Sequence, residues 1–150
     1  MRVTVDTSIL VYTFSSKDAK HAAANALLRR VANGDCVQPM QTFGEFLHVV
    51  TRRYRSPVED AVSAIGRFRA IMASTTADEE DFDEAARIVA RYRAQFWDAL
   101  IWATARRAGS RALLTEDLPG FPDLGGLTFV NPFDPANERL LGIILPQAEH

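Results

Sequence analysis

The stretch Arg2-Val3-Thr4-Val5-Asp6-Thr7-Ser8-Ile9-Leu10 decides how the rest of the chain is read. A short β-branched run ending in an acid predicts a buried strand that delivers Asp6 at its carboxyl end. Thr7 and Ser8 supply N-cap chemistry, and residues 9–14 then predict a short helix. A strand passing at once into a helix is how an alternating α/β chain begins, and the pattern repeats downstream.

Residues 17–32 are rich in Ala and Leu at helical spacing, and Asn33-Gly34 stops them. Asp35-Cys36-Val37-Gln38 predicts a second strand. Helical periodicity returns over residues 42–54, where Phe43, Phe46, Leu47, Val50 and Tyr54 form one apolar face. Ser56-Pro57 opens a further helix, Pro being favourable at a first helical position. The acidic run at 78–81 opens another, where negative charge suits a helix N-terminus. Asp98 is expected to open the next, ending near Ala108-Gly109. Residues 112–115 and 127–130 predict two more strands. Strands alternating with helices give a parallel sheet covered on both faces. The expectation is therefore a three-layer α/β/α fold with a central, mostly parallel sheet of four or five strands. Residues 1–133 are expected to form the domain and 134–150 an apolar C-terminal tail.

A chain of 150 residues fits one such domain. Net charge is −2, so overall charge does not announce a nucleic-acid partner, although 15 of the 17 basic residues are Arg. Arg binds phosphate as a planar fork, but a GC-rich coding sequence produces the same bias. The single cysteine, Cys36, rules out an internal disulfide and a cysteine-rich zinc module, and reads as a small core residue. No apolar run reaches the length of a membrane span. A cytoplasmic protein with no membrane partner is expected.

Ligands of open α/β sheets bind outside the carboxyl ends of the strands, and Asp6 and Asp117 both fall at that edge. Glu45 lies among Phe43, Phe46 and Leu47, and Asp98 among Trp97, Ala99, Leu100 and Ile101. A carboxylate in apolar surroundings is unfavourable unless it is paired or bound to a cation. Four converging acids repel one another, and a hard divalent cation such as Mg²⁺ or Mn²⁺ removes that repulsion. Taken singly, each acid has a plainer role: Asp6 and Asp98 as N-caps, Asp117 as a turn residue, Glu45 as a solvated residue or the partner of Arg52 or Arg53.

Val5-Asp6-Thr7-Ser8-Ile9-Leu10, the mid-chain Glu45, Phe96-Trp97-Asp98-Ala99-Leu100-Ile101 and Leu113-Leu114-Thr115-Glu116-Asp117 together resemble a PIN domain. The pattern is most similar to the VapC-type toxins of bacterial toxin–antitoxin pairs, and it runs from Val3 to about Phe133. The resemblance implies a Mg²⁺- or Mn²⁺-dependent endoribonuclease with Asp6, Glu45, Asp98 and Asp117 as both catalytic and metal-binding residues. It implies supporting hydroxyls at Thr115 and at Thr7 or Ser8, an RNA substrate, a homodimer and a cognate antitoxin. The tail and the Glu116 beside Asp117 depart from the plainest pattern; Glu116 reads as a surface side chain or a spare ligand.

Other features compete for a role. Glu45-x-x-His48 has the spacing of a helical di-iron ligand pair, but such sites need a second pair, and the chain has three His in all. Arg52, Arg53 and Arg55 are tentative RNA contacts, as are Arg106, Arg107 and Arg111, against the alternative of solvated helix faces. Tyr12, Phe14, Trp97 and Trp102 could stack bases, but at helical spacing such aromatics are expected in the core. Two other functions stay open: a related nuclease acting on DNA, and a non-catalytic PIN-like module binding RNA or protein.

Overall fold

The computed structural model describes residues 1–147. The strands are β1 (Arg2–Val5), β2 (Asp35–Pro39), β3 (Ala73–Thr75), β4 (Ala112–Leu114) and β5 (Thr128–Val130). All neighbours pair in parallel, in the order β3-β2-β1-β4-β5. The helices are α1 (Thr7–Phe14), α2 (His21–Ala32), α3 (Met40–Arg52), α4 (Val58–Ile71), α5 (Glu79–Tyr92), α6 (Phe96–Arg107) and α7 (Glu138–Ile144). The expected three-layer α/β/α architecture is present, with the sheet fully parallel and five-stranded among the described residues.

Side chains alternate across the sheet, as strand geometry requires. Val3, Val5, Ala112, Leu114 and Val130 face one way, into a core shared with α1 to α4 and with Leu141, Ile144 and Leu145. Leu113 and Phe129 face the other way, into a second core with α5 and α6 built around Trp102 and Phe121. No helix among the described residues is long and apolar enough to cross a membrane.

Sequence reading and structure differ at several elements. β3 is absent from the sequence reading because Ala73-Ser74-Thr75 is a three-residue, largely exposed edge with no apolar alternation. α2 begins at His21, four residues later than expected, because residues 16–20 form turns. α6 begins at Phe96 with Gln95 as its cap, so Asp98 sits inside the first turn and is not an N-cap. The tail is more than a trailing segment: α7 packs into the first core, and Arg30 donates to the carbonyls of Leu141 at 3.0 Å and Pro146 at 3.0 Å. A cation on the last carbonyls of a helix also suits its dipole.

One buried side chain shapes the sheet where it matters. β1 and β2 pair through Arg2–Asp35 and Val3–Cys36, and then the Gln38 amide takes over. Gln38 Nε2 donates to Val5 O at 2.6 Å, while its Oε1 accepts from Val5 N at 3.1 Å. Nε2 also donates to Thr42 Oγ1 at 2.8 Å, whose proton goes on to Pro39 O at 2.7 Å. The strands therefore part at their carboxyl ends with both backbone polar groups of Val5 satisfied, and the start of α3 is tied to β1. The chain winds from β1 outward to β3 and then crosses to β4, which makes the β1/β4 boundary the topological switch point.

Candidate active site

The four acids come together above that switch point. Asp6, Glu45, Asp98 and Asp117 line one groove of about 950 Å³, together with Thr7, Ser8 and Gln41. Each is delivered by a different element. Asp6 N donates to Leu114 O at 2.9 Å, so the β1–β4 ladder extends to the residue that carries the carboxylate. Asp6 is also the N-cap of α1, the plainer role weighed from the sequence, so it serves both. The sequence had assigned that cap to Thr7 and Ser8. Their roles are reversed: both donate to Asp6.

Asp6 is the most restrained of the acids. Its Oδ1 accepts from Thr7 N at 2.8 Å and its Oδ2 from Ser8 Oγ at 3.0 Å. The Thr115 hydroxyl lies 3.1 Å from Asp6 Oδ2 and 3.1 Å from Asp117 O, and accepts the Asp117 N–H at 3.1 Å. Its one proton serves one oxygen at a time. Glu45 is half-buried, taking the Thr7 hydroxyl on Oε2 at 2.8 Å and Gln41 Nε2 on Oε1 at 2.8 Å. Gln41 lies one turn before Glu45 and also donates to Trp97 O at 3.3 Å, while its own Oε1 is buried without a partner among the described residues. Gln41 escaped the sequence reading, although a residue four positions before a candidate ligand shares its helix face.

Burial raises the Asp6 carboxyl above its usual range against the pull of the Ser8, Thr115 and Thr7 hydrogen bonds, and the Glu45 charge adds to the rise. Asp98 is raised too, by desolvation first and then by the charges of Asp6, Glu45 and Asp117. Residue exposure places Asp98 at the solvent-facing rim, so the electrostatic crowding counts for more there than burial does. Among the described residues no Lys or Arg is ion-paired with any of the four. Nor do three His, Cys, Asp or Glu side chains stand close enough to share an ion as placed. Like charges with no cation between them repel one another. The donors are carboxylate and hydroxyl oxygens at the ends of short side chains, the set that suits Mg²⁺ or Mn²⁺. The alternative of Glu45 pairing with Arg52 or Arg53 is not realised; Thr7 and Gln41 occupy its oxygens.

Glu116 is neither a surface residue nor a free acid. It accepts from the Tyr12 hydroxyl and from Lys20 Nζ, and it is largely shielded from solvent. Burial pushes its carboxyl up, but the hydrogen bonds from Lys20 and Tyr12 outweigh that and bring it below the ordinary value. The same contact, with burial, raises the Tyr12 phenol. Lys20 also lies 5.4 Å from the Tyr12 ring centroid and 5.5 Å from that of Phe133. The pair ties the segment before α2 to the loop that carries Asp117.

The tentative arginines divide. Arg53 lines the groove, and Arg52 and Arg55 do not. Arg106, Arg107 and Arg111 line a separate cleft, where Arg107 forks onto Asp81 at 2.9 Å and reaches Thr76 O at 2.7 Å. That arginine is structural. His48 is exposed, and Cys36 is buried with its thiol pushed up to about 12 by desolvation, as a core cysteine should be. Trp102 lies in the core as expected, but Trp97 is 55% exposed and lines the groove.

Comparison with known proteins bears on the family and the fold. The PIN domain family profile matches residues 3–126. No curated protein matches the sequence. Among solved structures, the chain resembles the sarcin–ricin loop cleaving toxin VapC20 of Mycobacterium tuberculosis, with a TM-score of 0.64 at 22% identity, covering 77% of this chain and 89% of that one. It also resembles a toxin–antitoxin complex from Klebsiella pneumoniae, with a TM-score of 0.65 at 19% identity over 88% of this chain and 98% of that one. A DNA-bound VapBC from Salmonella typhimurium gives a TM-score of 0.63 at 17% identity over the same shares.

Proposed function

The chain belongs to the PIN domain family, and from that premise we propose that it is a divalent-metal-dependent endoribonuclease acting as the toxin of a toxin–antitoxin pair. The observation that carries this reading is the groove itself, lined by four carboxylates from four elements with no Lys or Arg ion-paired to any of them among the described residues. The toxin assignment rests on the similarity to VapC structures.

Asp6, Glu45, Asp98 and Asp117 would hold Mg²⁺ or Mn²⁺, with the Ser8 and Thr115 hydroxyls beside Asp6. Bound there, the cation supplies Lewis acidity toward a phosphoryl oxygen and makes water more acidic. The protein's own work is orientation. Thr7 joins two ligands, its N–H fixing Asp6 and its hydroxyl fixing Glu45. Thr115 keeps the Asp117 backbone in register with Asp6. Gln41 locks Glu45 against the start of α6, which carries Asp98. Four negative charges disfavour an RNA phosphate in the absence of a cation, so substrate and metal are expected to enter together.

Cleavage of single-stranded RNA in Mg²⁺ or Mn²⁺ tests the proposal. Asp6→Ala and Asp98→Asn are each expected to lower the rate by at least about 100-fold, the order seen when one preorganised stabilising group is removed. Unchanged activity in both variants, with the fold intact by circular dichroism, refutes it. A parallel DNA panel is expected to be cleaved poorly or not at all. The same reading carries a cognate antitoxin and a homodimer as partners, checked by neutralisation of the activity and by sedimentation.

A further inference from the structure

Trp97 stands out among the aromatic residues of the groove. A large aromatic on a helix is normally buried, and its neighbour Trp102 is 2% exposed, yet Trp97 is 55% exposed at the lip beside Asp98. Its position is supported from behind. The Trp97 ring meets Phe96 at 5.1 Å and 76°, and Phe96 meets Phe82 at 5.2 Å and 59°. Its backbone is held by Gln41, which donates to Trp97 O. The indole therefore ends an aromatic row whose other end, Phe82, is also exposed.

The groove runs from there along α3. That helix has 13 residues, roughly 20 Å at the helical rise per residue, and it is followed by Arg53 and Tyr54, which line the same groove. Tyr54 is itself 41% exposed. An exposed indole at one end, a guanidinium and a phenol at the other, and an acidic centre between them match an extended single strand. Bases stack on aromatic faces, and phosphates meet arginine.

We propose that Trp97 is a stacking platform for an unpaired base next to the scissile phosphate, with Arg53 taking a phosphate farther along the strand. The proposal rests on the ribonuclease reading and adds to it a structural selection. Base-paired RNA keeps its bases inside the helix and has no free face to offer Trp97, so cleavage is confined to single-stranded segments.

The test uses the intact protein and a short single-stranded RNA. In Ca²⁺, which takes oxygen ligands as Mg²⁺ does, titration of the RNA is expected to quench tryptophan emission. That change should vanish in Trp97→Phe, where only the buried Trp102 still emits. In Mg²⁺, Trp97→Ala is expected to raise KM roughly tenfold or more, the value of one base–aromatic stack, with kcat little changed. Trp97→Phe should recover part of the loss. An abasic residue at the stacked position should raise KM for the wild type and abolish the difference between wild type and Trp97→Ala. RNA that binds by anisotropy with unchanged emission and is cleaved with the same KM by Trp97→Ala overturns the stacking proposal and leaves the ribonuclease reading standing. Wild-type protein that neither binds nor cleaves RNA overturns both. A Trp97→Ala protein with normal RNA kinetics that escapes its antitoxin assigns the indole to a protein interface and also overturns the proposal.

Discussion

Thr7 fastens Asp6 through its backbone and Glu45 through its side chain, so one small residue sets the distance between two acids. The remaining acids are less restrained. Asp6 and Asp98 both titrate above their unfolded values, so the folded state keeps its protons where the unfolded chain has lost them. The stability this contributes is present at pH values below about 4, the unfolded carboxyl value, and is lost as pH rises through the raised folded values. Asp98→Asn removes one of the crowded charges. It is expected to raise Tm in metal-free buffer at neutral pH, with the gain shrinking toward acid pH, and to weaken stabilisation by added Mg²⁺. Thermal melts of both proteins across pH, with and without Mg²⁺, check each part. A lower Tm for the variant at neutral pH would contradict the crowding argument.

At the scale of elements, the Gln38 amide does what a backbone would do elsewhere. It is fully buried and satisfies both polar groups of Val5. Gln38→Leu keeps the volume but strands those groups, so a loss of roughly 2–5 kcal/mol is expected in urea unfolding, from two buried unpaired groups. The same comparison shows what was legible in the sequence. β1, β2, β4 and β5 announce themselves through apolar or β-branched runs, and Asp6 and Asp117 follow from strand ends. β3 does not, because an exposed Ala-Ser-Thr edge carries no period. Asp98 opens its helix in the sequence reading, whereas α6 begins two residues earlier at Phe96, because Trp97 reads as core. Gln38 and the Glu116–Lys20–Tyr12 contact are hidden for a common reason, since each depends on long-range hydrogen bonds that no local pattern encodes, whereas Gln41 has a local signal in its spacing of four from Glu45.

At the scale of the molecule, the C-terminal helix belongs to the structure of the first core. Leu141, Ile144 and Leu145 are buried there, and Arg30 grips the carbonyls at its end. Leu141→Ala is expected to cost roughly 2–5 kcal/mol by the usual scale for large-to-small core changes. Denaturant unfolding measures it, and RNA cleavage at 25 °C should persist because α7 contributes nothing to the groove. A loss of activity without a loss of stability would place α7 in the site's own machinery.

The sheet divides the interior into two separate apolar clusters, and the acidic groove straddles that division. Asp6 and Glu45 stand on the side of α1 and α3, while Asp98 stands on the side of α6. A cation held by all of them would then cross-link two half-cores that lie on opposite faces of the sheet. Its binding would partly suppress local opening of one half against the other. Metal occupancy and mechanical coherence of the domain would become one variable.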